Sequence, residues 1–297
     1  MSLLTFDKQN KKKWLKEGLL VLGASLFVWS LLDQNRFVVR KKELTTKKLR
    51  KGQSLRFVFV TDLHSKRFAF NNEDLLGAIR RCKPDFILCG GDMMTAHPGK
   101  DNSAAISFIR RLSREFKIYY ALGNHEYRAR LYPETYGEMF DDYIDAIDSE
   151  NITFLDNNSV KLPDLPVRIS GLTVDRIYYK RFRTQFMPAG YIKNQIGTVK
   201  DEEYTILMAH NPEYGDEYFA YGADLFLSGH LHGGIIRLPF IGGLASPAIR
   251  LFPKYSGGLY LRGNKAGYVS CGLGTHTIPL RLNNPGEITC ITIKGNN

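Results

Sequence analysis

The chain is 297 residues long, with 43% hydrophobic and 24% charged residues, an ordinary globular composition that excludes a disordered, collagen-like or coiled-coil chain. Its net charge of +11 is uneven: residues 1–56 carry 14 Lys/Arg against 4 Asp/Glu, and the other 241 residues carry 27 against 26. The body is thus nearly neutral, which argues against nucleic acid as a partner, because gripping a phosphate backbone takes clustered cations.

Residues 18–32 run without a charge, behind Lys11, Lys12, Lys13 and Lys16. No small-x-small cleavage site follows, so the segment reads as an uncleaved single-pass membrane anchor rather than a signal peptide. Trp14 and Trp29 suit the two interfaces, and Lys16 can snorkel. Five Lys precede the stretch and eight Lys/Arg follow it within twenty residues, which leaves open the side of the membrane on which the body lies. The domain reading is therefore residues 1–33 as basic flank and anchor, 34–55 as a basic linker plus an entry strand, and 56–297 as the globular domain. A chain beginning near Leu49 is expected to fold alone.

From Arg56 the pattern changes. Residues 56–61 predict a strand, 71–82 an amphipathic helix, 85–89 a buried strand, 103–114 a second helix, 117–122 a third strand and 136–149 a third helix. Short strands follow around 153–154, 159–162 and 167–172, then 204–209, 224–228, 258–261, 266–269 and 287–293. Alternation of strand and helix in the first half and strand richness in the second point to an α/β (α+β) chain of two packed sheets flanked by helices. Cys82, Cys89, Cys271 and Cys290 show no CxxC spacing and three of them sit in apolar or small-residue runs, so buried free thiols are expected.

Metal-capable groups gather where predicted strands end. Thr61-Asp62-Leu63-His64 closes the first, Gly90-Gly91-Asp92 the second, Gly123-Asn124-His125-Glu126 the third, Ala209-His210-Asn211-Pro212 a later one, and Gly229-His230-Leu231-His232-Gly233-Gly234 another. Ligand sites collect at such ends in α/β sheets. Carboxylate, imidazole and amide-oxygen donors suit manganese, iron, zinc or magnesium rather than soft copper sites. Any one of these short motifs is weak; all of them in this order, each after a strand, are specific.

The set resembles the calcineurin-like metallophosphoesterase superfamily over about residues 56–293. Gly-His-Leu-His-Gly-Gly, the Arg237-Leu-Pro-Phe-Ile-Gly that follows and the segment 272–281 resemble its membrane-linked bacterial branch, some members of which cleave the pyrophosphate of a UDP-linked acylated glucosamine. The resemblance implies a four-layered αββα sandwich with two mixed sheets. It implies two divalent ions, manganese foremost, with iron, zinc or magnesium also admitted. Asp62, His64, Asp92 and His232 would hold the first ion, and Asp92, Asn124, His210 and His230 the second, with Asp92 bridging. His125 would be the general acid or would bind the phosphoryl oxygen, while a water activated by both ions attacks phosphorus in line. The family's second motif often carries a carboxylate three residues after the aspartate; here Thr95 stands there, with His97 beyond it.

The loop 272–281 holds His276 and Arg281, read as substrate-phosphate contacts, Arg281 as an anionic clamp; a solvated loop explains both as simply. Residues 176–186 alternate basic and aromatic groups, and 238–252 is apolar and glycine-rich, suited to a membrane, an acyl chain or the core. The reading that emerges is a membrane-anchored hydrolase of a phosphoester or pyrophosphate bond on a small-molecule or lipid-linked substrate. A non-catalytic scaffold on the same fold and a nucleotide or nucleic-acid phosphodiesterase are its alternatives. Oligomeric state is not legible.

Overall fold

A computed structural model describes residues 3–180, 184–234, 236–238, 241–244, 251–275 and 279–296. In chain order, helix α1 (Leu3–Asn35) is followed by β1 (Phe37–Thr46), β2 (Ser54–Val60), α2 (Ala69–Cys82), β3 (Phe86–Cys89), α3 (Ser103–Ser113) and β4 (Ile118–Ala121). Then come α4 (Asn124–Leu131), α5 (Pro133–Tyr136), α6 (Met139–Ile147), β5 (Ile152–Leu155), β6 (Asn158–Lys161) and β7 (Val167–Leu172). After α7 (Tyr191–Ile196) lie β8 (Tyr204–Ala209), α8 (Gly215–Tyr221), β9 (Leu225–Ser228), and the two-residue strands β10 (Arg237–Leu238) and β11 (Gly242–Gly243). The chain closes with β12 (Gly258–Arg262), β13 (Lys265–Val269) and β14 (Gly286–Gly295).

Two six-stranded mixed sheets form, in the orders β1-β14-β2-β3-β4-β5 and β12-β13-β9-β8-β7-β6. Side chains alternate faces along each strand, and here both faces are apolar. Phe57 and Phe59 of β2, Leu88 of β3 and Ile291 of β14 point between the sheets, where they meet Ile206, Met208, Leu225 and Leu227. The residues between them, Val58, Val60, Ile87, Cys89 and Cys290, face α2, α3 and α6, against Leu75, Ile79, Phe108, Leu112 and Tyr143. On the far side of the second sheet, Leu207, Ala209 and Phe226 pack on Ile192, Tyr218 and Phe219 of α7 and α8. The result is four layers, helix on sheet on sheet on helix. All four cysteines are buried and free.

The structure refines the sequence reading at three places. The helix expected over 136–149 starts only at Met139, as α6, because Tyr136 closes α5 and Gly137 after it has a φ of 61°, in the left-handed region. The entry strand read within 34–55 is β1, which pairs in parallel with β14 over ten residues, from Phe37↔Gly286 to Thr46↔Gly295, so strand takes up about half of that stretch. Its basic residues fit an edge strand, which buries little and tolerates charge. Finally, α1 extends well beyond the apolar core of the segment. Residues 10–35 form a helix long and apolar enough to cross a membrane, with mean hydropathy 1.6 and only 6% of the window buried. At 1.5 Å per residue, 26 residues reach about 39 Å, more than the roughly 30 Å hydrocarbon core of a bilayer. Leu20, Phe27 and Leu32 are exposed along it, whereas Ser30 and Asp33 in its last turns are buried.

Because β1 covers β14, a chain beginning at Leu49 should expose a ten-residue unpaired edge. It is expected to aggregate and to melt roughly 10 °C or more below a chain beginning at Arg36, a kcal/mol being worth about 2–4 °C at this size. Thermal unfolding with size-exclusion chromatography decides this; equal melting of the two chains would show β1 to be dispensable.

Candidate metal centre

The parallel strands β2, β3 and β4 of one sheet and β8 and β9 of the other end along the same edge, and their next residues turn inward. The ladder continues past the strand ends: Asp62 N donates to Gly91 O at 3.0 Å, His64 N to Asp92 O at 3.0 Å and Ser65 N to Met93 O at 2.8 Å. Asp62, His64, Asp92, His230 and His232 all have positive φ, between 50° and 66°. Non-glycine residues seldom adopt this region, and a cluster of them marks strain held in place by the surrounding structure. Two glycines permit the close approach. A Cβ at Gly91 would stand 2.0 Å from Gly123 N, and one at Gly229 would stand 2.1 Å from Asp62 Oδ2.

The side chains that the sequence singled out meet at one place. Three groups of candidate ligand atoms lie within 4.8 Å of one another: Asp62, His64 and His232; His64, Asp92 and His125; and Asp92, His210 and His230. Asp92 and His64 link these groups into one cluster. His64 Nε2 and His232 Nε2 face each other at 3.1 Å. His210 Nε2 lies 3.1 Å from Asp92 Oδ2 and 3.6 Å from Asp62 Oδ1. Asp62 is braced on the opposite side by His230 N, which lies 3.0 and 3.1 Å from its two oxygens. Asn124 adds an amide whose buried Oδ1 has no hydrogen-bond partner, an arrangement that suits a ligand to a cation better than a structural amide.

The imidazole tautomers follow from the other ring nitrogen. His210 Nδ1 contacts Gly90 O at 2.7 Å, and His232 Nδ1 contacts Gly274 O at 3.2 Å. A carbonyl can only accept, so His210 Nδ1 carries a proton, and its Nε2 offers a lone pair to an ion once the second ring proton leaves; His232 Nδ1 lies between Gly274 O and the donor Arg281 Nη2 at 3.4 Å, with its Nε2 facing the cluster. His125 is the reverse. Its Nδ1 accepts from Ala96 N at 2.9 Å and lies 3.2 Å from Arg128 Nη2, which also donates to Ala96 O. Its Nε2 therefore carries the proton and is a donor, which separates His125 from the ligand candidates beside it. These donors fit a pair of divalent cations, with two carboxylates to neutralise charge and nitrogens oriented by backbone carbonyls.

Burial pushes the Asp62 carboxyl up to about 6. Asp92 is equally buried, yet His210, His125 and His64 outweigh burial and hold it well below the usual carboxylate range. Burial opposes the charged form of His210, but Asp92 and Asp62 together raise it to about 10.

Glu126 is the group that sequence reasoning quoted without a role. Fully buried, it accepts from Asp92 N at 2.8 Å, Met93 N at 2.9 Å, Gly123 N at 3.1 Å and the Tyr120 hydroxyl at 2.8 Å. It clamps the loop after β3 to the loop after β4 and supplies the carboxylate that the second motif lacks. Thr95 and His97 do not: Thr95 N bonds Asn102 Oδ1, and exposed His97 turns to Pro98 O. Burial raises the Glu126 carboxyl to about 7, with Asp92 adding to the rise. The signal was its fourth place in Gly-Asn-His-Glu, at the first turn of α4.

Arg281 does not sit as a phosphate clamp. It is 2% exposed, and its guanidinium donates to backbone oxygens of Cys271, Gly272, Gly274 and Asn284. It props the loop that touches His232. His276 lies outside the described residues. Tyr179, from the basic-aromatic segment, sets its ring edge-on to His230 with centroids 5.1 Å apart. Of the apolar segment 238–252, Ile241, Leu251 and Phe252 are exposed.

Two outcomes follow for this cluster. Ions that take Asp62 and His210 must displace protons, so apparent metal affinity should rise with pH between 5 and 8, with net proton release. Calorimetry in two buffers of different ionisation enthalpy measures that release; affinity that falls with rising pH would contradict it. Glu126→Gln should weaken metal affinity by about 10–100-fold, as loss of an outer-sphere partner does, and Glu126→Ala should also destabilise the fold by about 3 kcal/mol or more, through orphaned buried N–H groups. Chelator competition and urea unfolding test these two effects.

Residues 55–234, more than half of the chain, match the family model for calcineurin-like phosphoesterases. The chain is 28% identical over 251 residues to the metallophosphoesterase YkuE of Bacillus subtilis, covering 82% of this chain and 80% of that one. It is 26% identical over 243 residues to the phosphodiesterase YaeI of Escherichia coli, covering 80% and 82%. It is 25% identical over 289 residues to a Danio rerio transmembrane protein with a metallophosphoesterase domain, covering 93% of this chain and 62% of that one. The chain belongs to the calcineurin-like phosphoesterase family and is a metal-dependent hydrolase of phosphoester bonds.

Proposed function

We propose that this protein is a membrane-anchored hydrolase that cleaves a phosphoester or pyrophosphate bond on a lipid- or nucleotide-linked substrate. Asp62, His64, Asp92 and His232 hold one divalent ion, and Asp92, Asn124, His210 and His230 hold the other. Manganese is the first candidate, with iron, zinc and magnesium as alternatives. The observation that carries this reading is the convergence of two buried carboxylates and four imidazoles on one cluster beside a histidine whose ring proton sits on Nε2. Bound ions supply charge neutralisation and lower the pKa of a water.

The chain's own residues do the rest. Asp92 lies between the two ligand sets. The backbone carbonyls of Gly90 and Gly274 fix the rings of His210 and His232. The His125 Nε2–H donates to the phosphoryl or leaving oxygen and passes its proton to the departing group as the phosphorus–oxygen bond breaks. Arg128 and Ala96 N, both at Nδ1, keep that ring in its donor tautomer. Presence of the whole ligand set together with His125 supports an enzyme over a scaffold. Membrane placement is supported by the exposure of α1 and by the name of the Danio rerio relative.

The test is hydrolysis of an aryl phosphomonoester, an aryl phosphodiester, a UDP-linked acyl sugar and a polyprenyl pyrophosphate, with Mn, Mg and Zn in turn. Absence of metal-dependent turnover on all four would remove the reading. On the substrate that turns over, Asp92→Asn should nearly abolish both turnover and metal occupancy. His125→Ala should lower kcat by about 10²–10⁴ for poor leaving groups and much less for nitrophenolate, with metal content intact. Equal loss on every leaving group together with lost metal would make His125 a ligand instead.

A further inference from the structure

One short segment, 281–284, buried at its two ends, faces two ways. Toward α1, Arg281 N donates to Ser30 Oγ at 3.1 Å, and Asn284 N donates to Asp33 Oδ2 at 2.8 Å. Asp33 is held in turn by Arg36, whose Nε reaches Oδ1 at 2.8 Å. Toward the metal cluster, Asn284 Nδ2 donates to His232 O at 2.7 Å and Gly234 O at 2.6 Å. The Arg281 guanidinium donates to Gly274 O, the same carbonyl that orients His232 Nδ1, and to Cys271 O and Gly272 O. Gly274 N in turn donates to Asp62 O at 2.5 Å. Ser30 and Asp33 are buried polar groups at the end of a helix that is otherwise exposed. A carboxylate and a hydroxyl buried there cost desolvation, offset by these bonds and by Gln34 Nε2, which donates to Ser30 Oγ at 3.1 Å.

We infer that the last turns of α1 are a positioning element of the metal centre: Ser30 and Asp33 hold segment 281–284, which holds His232 and Asp62. The apolar helix is therefore part of the site's support as well as a tether. Ser30 and Asp33 touch no candidate ligand themselves and are positioning residues. The inference rests on the ligand assignment proposed above, and it predicts an asymmetry that assignment alone does not. Loosening α1 should weaken the ion held by Asp62, His64 and His232, while the ion held by Asn124, His210 and His230 stays.

The experiment uses the full-length chain in detergent micelles, loaded with Mn and titrated with a chelator of known affinity. Wild type should hold two ions. Asp33→Ala should retain one ion at wild-type affinity and bind the other about 10–100-fold more weakly, the usual effect of removing an outer-sphere partner. Ser30→Ala should shift the same ion in the same direction by less. Asp33→Asn, which keeps an oxygen for Asn284 N, should recover most of the affinity. Metal-free thermal unfolding accompanies each variant, and Asp33→Asn and Ser30→Ala carry the test should Asp33→Ala fail to fold. Two ions held at wild-type affinity in Asp33→Ala, or in Ser30→Ala if that variant alone folds, would overturn the coupling. Equal weakening of both ions would also overturn it, as a general loosening of the fold. A wild-type chain that holds no Mn, Mg or Zn would instead overturn the ligand assignment, and the coupling with it.

Discussion

Asp62 and Asp92 are both buried, at the seam where the strand ends of two sheets meet, and they share the imidazoles of His64 and His210. Removing two carboxylates from water is expensive, and the charge on Asp92 adds to the proton affinity of Asp62. The metal-free chain manages this by moving charge: His210 holds its proton tightly, Asp92 stays ionised and Asp62 is drawn toward neutrality. Divalent cations resolve the same conflict with more charge and without protons. The cluster is therefore poorly suited to be a structural core and well suited to be a cation site. This constraint explains the rest of the edge: the glycines, the left-handed ligand residues and the carbonyls aimed at ring nitrogens all serve to bring these groups together.

Rigid strands make that possible. Each ligand-bearing loop leaves a strand whose side chains are packed on both faces, so the first residue of the turn has a fixed origin. Glu126 joins two of these loops by taking Asp92 N and Met93 N on one side and Gly123 N on the other. Four donors converge on it, so the ionised form suits it even though burial raises its pKa. Without such a clamp, the left-handed conformations at Asp62, His64 and Asp92 would relax, since each costs on the order of a kcal/mol or more.

Much of this was legible in the sequence. The short apolar strands, the two-sheet architecture and the Asp, Asn and His residues at strand ends can all be read from residues 56–293, because a both-faced apolar run and a polar strand end are local patterns. What stayed hidden depends on distant partners. The extent and pairing of the entry strand β1 were not legible, because its charges face solvent at an edge and its partner lies some 250 residues away. Arg281 reads as an anion clamp because nothing local says that a guanidinium near a glycine-rich loop will be spent on carbonyls. Glu126 was visible but had no role until Asp92, Met93 and Gly123 were placed around it. The buried roles of Ser30 and Asp33 were masked by the apolar run that contains one and adjoins the other.

Only Arg36 separates α1 from β1, so no flexible joint lies between the apolar helix and the first sheet. Bonds on both sides stiffen that junction: Asp33 to Arg36 and Asn284, and Lys66 Nζ to Gln34 O. A long Gly/Ser-type linker would let the body tumble beneath its anchor and sample many heights. A one-residue junction locked by buried polar contacts does the opposite. With α1 in a bilayer, the loop after β2 that carries His64 and the segment beside His232 lie at a fixed distance from the end of the helix. For the membrane placement proposed above, such a junction would exchange the reach of a tether for a set orientation of the body relative to α1.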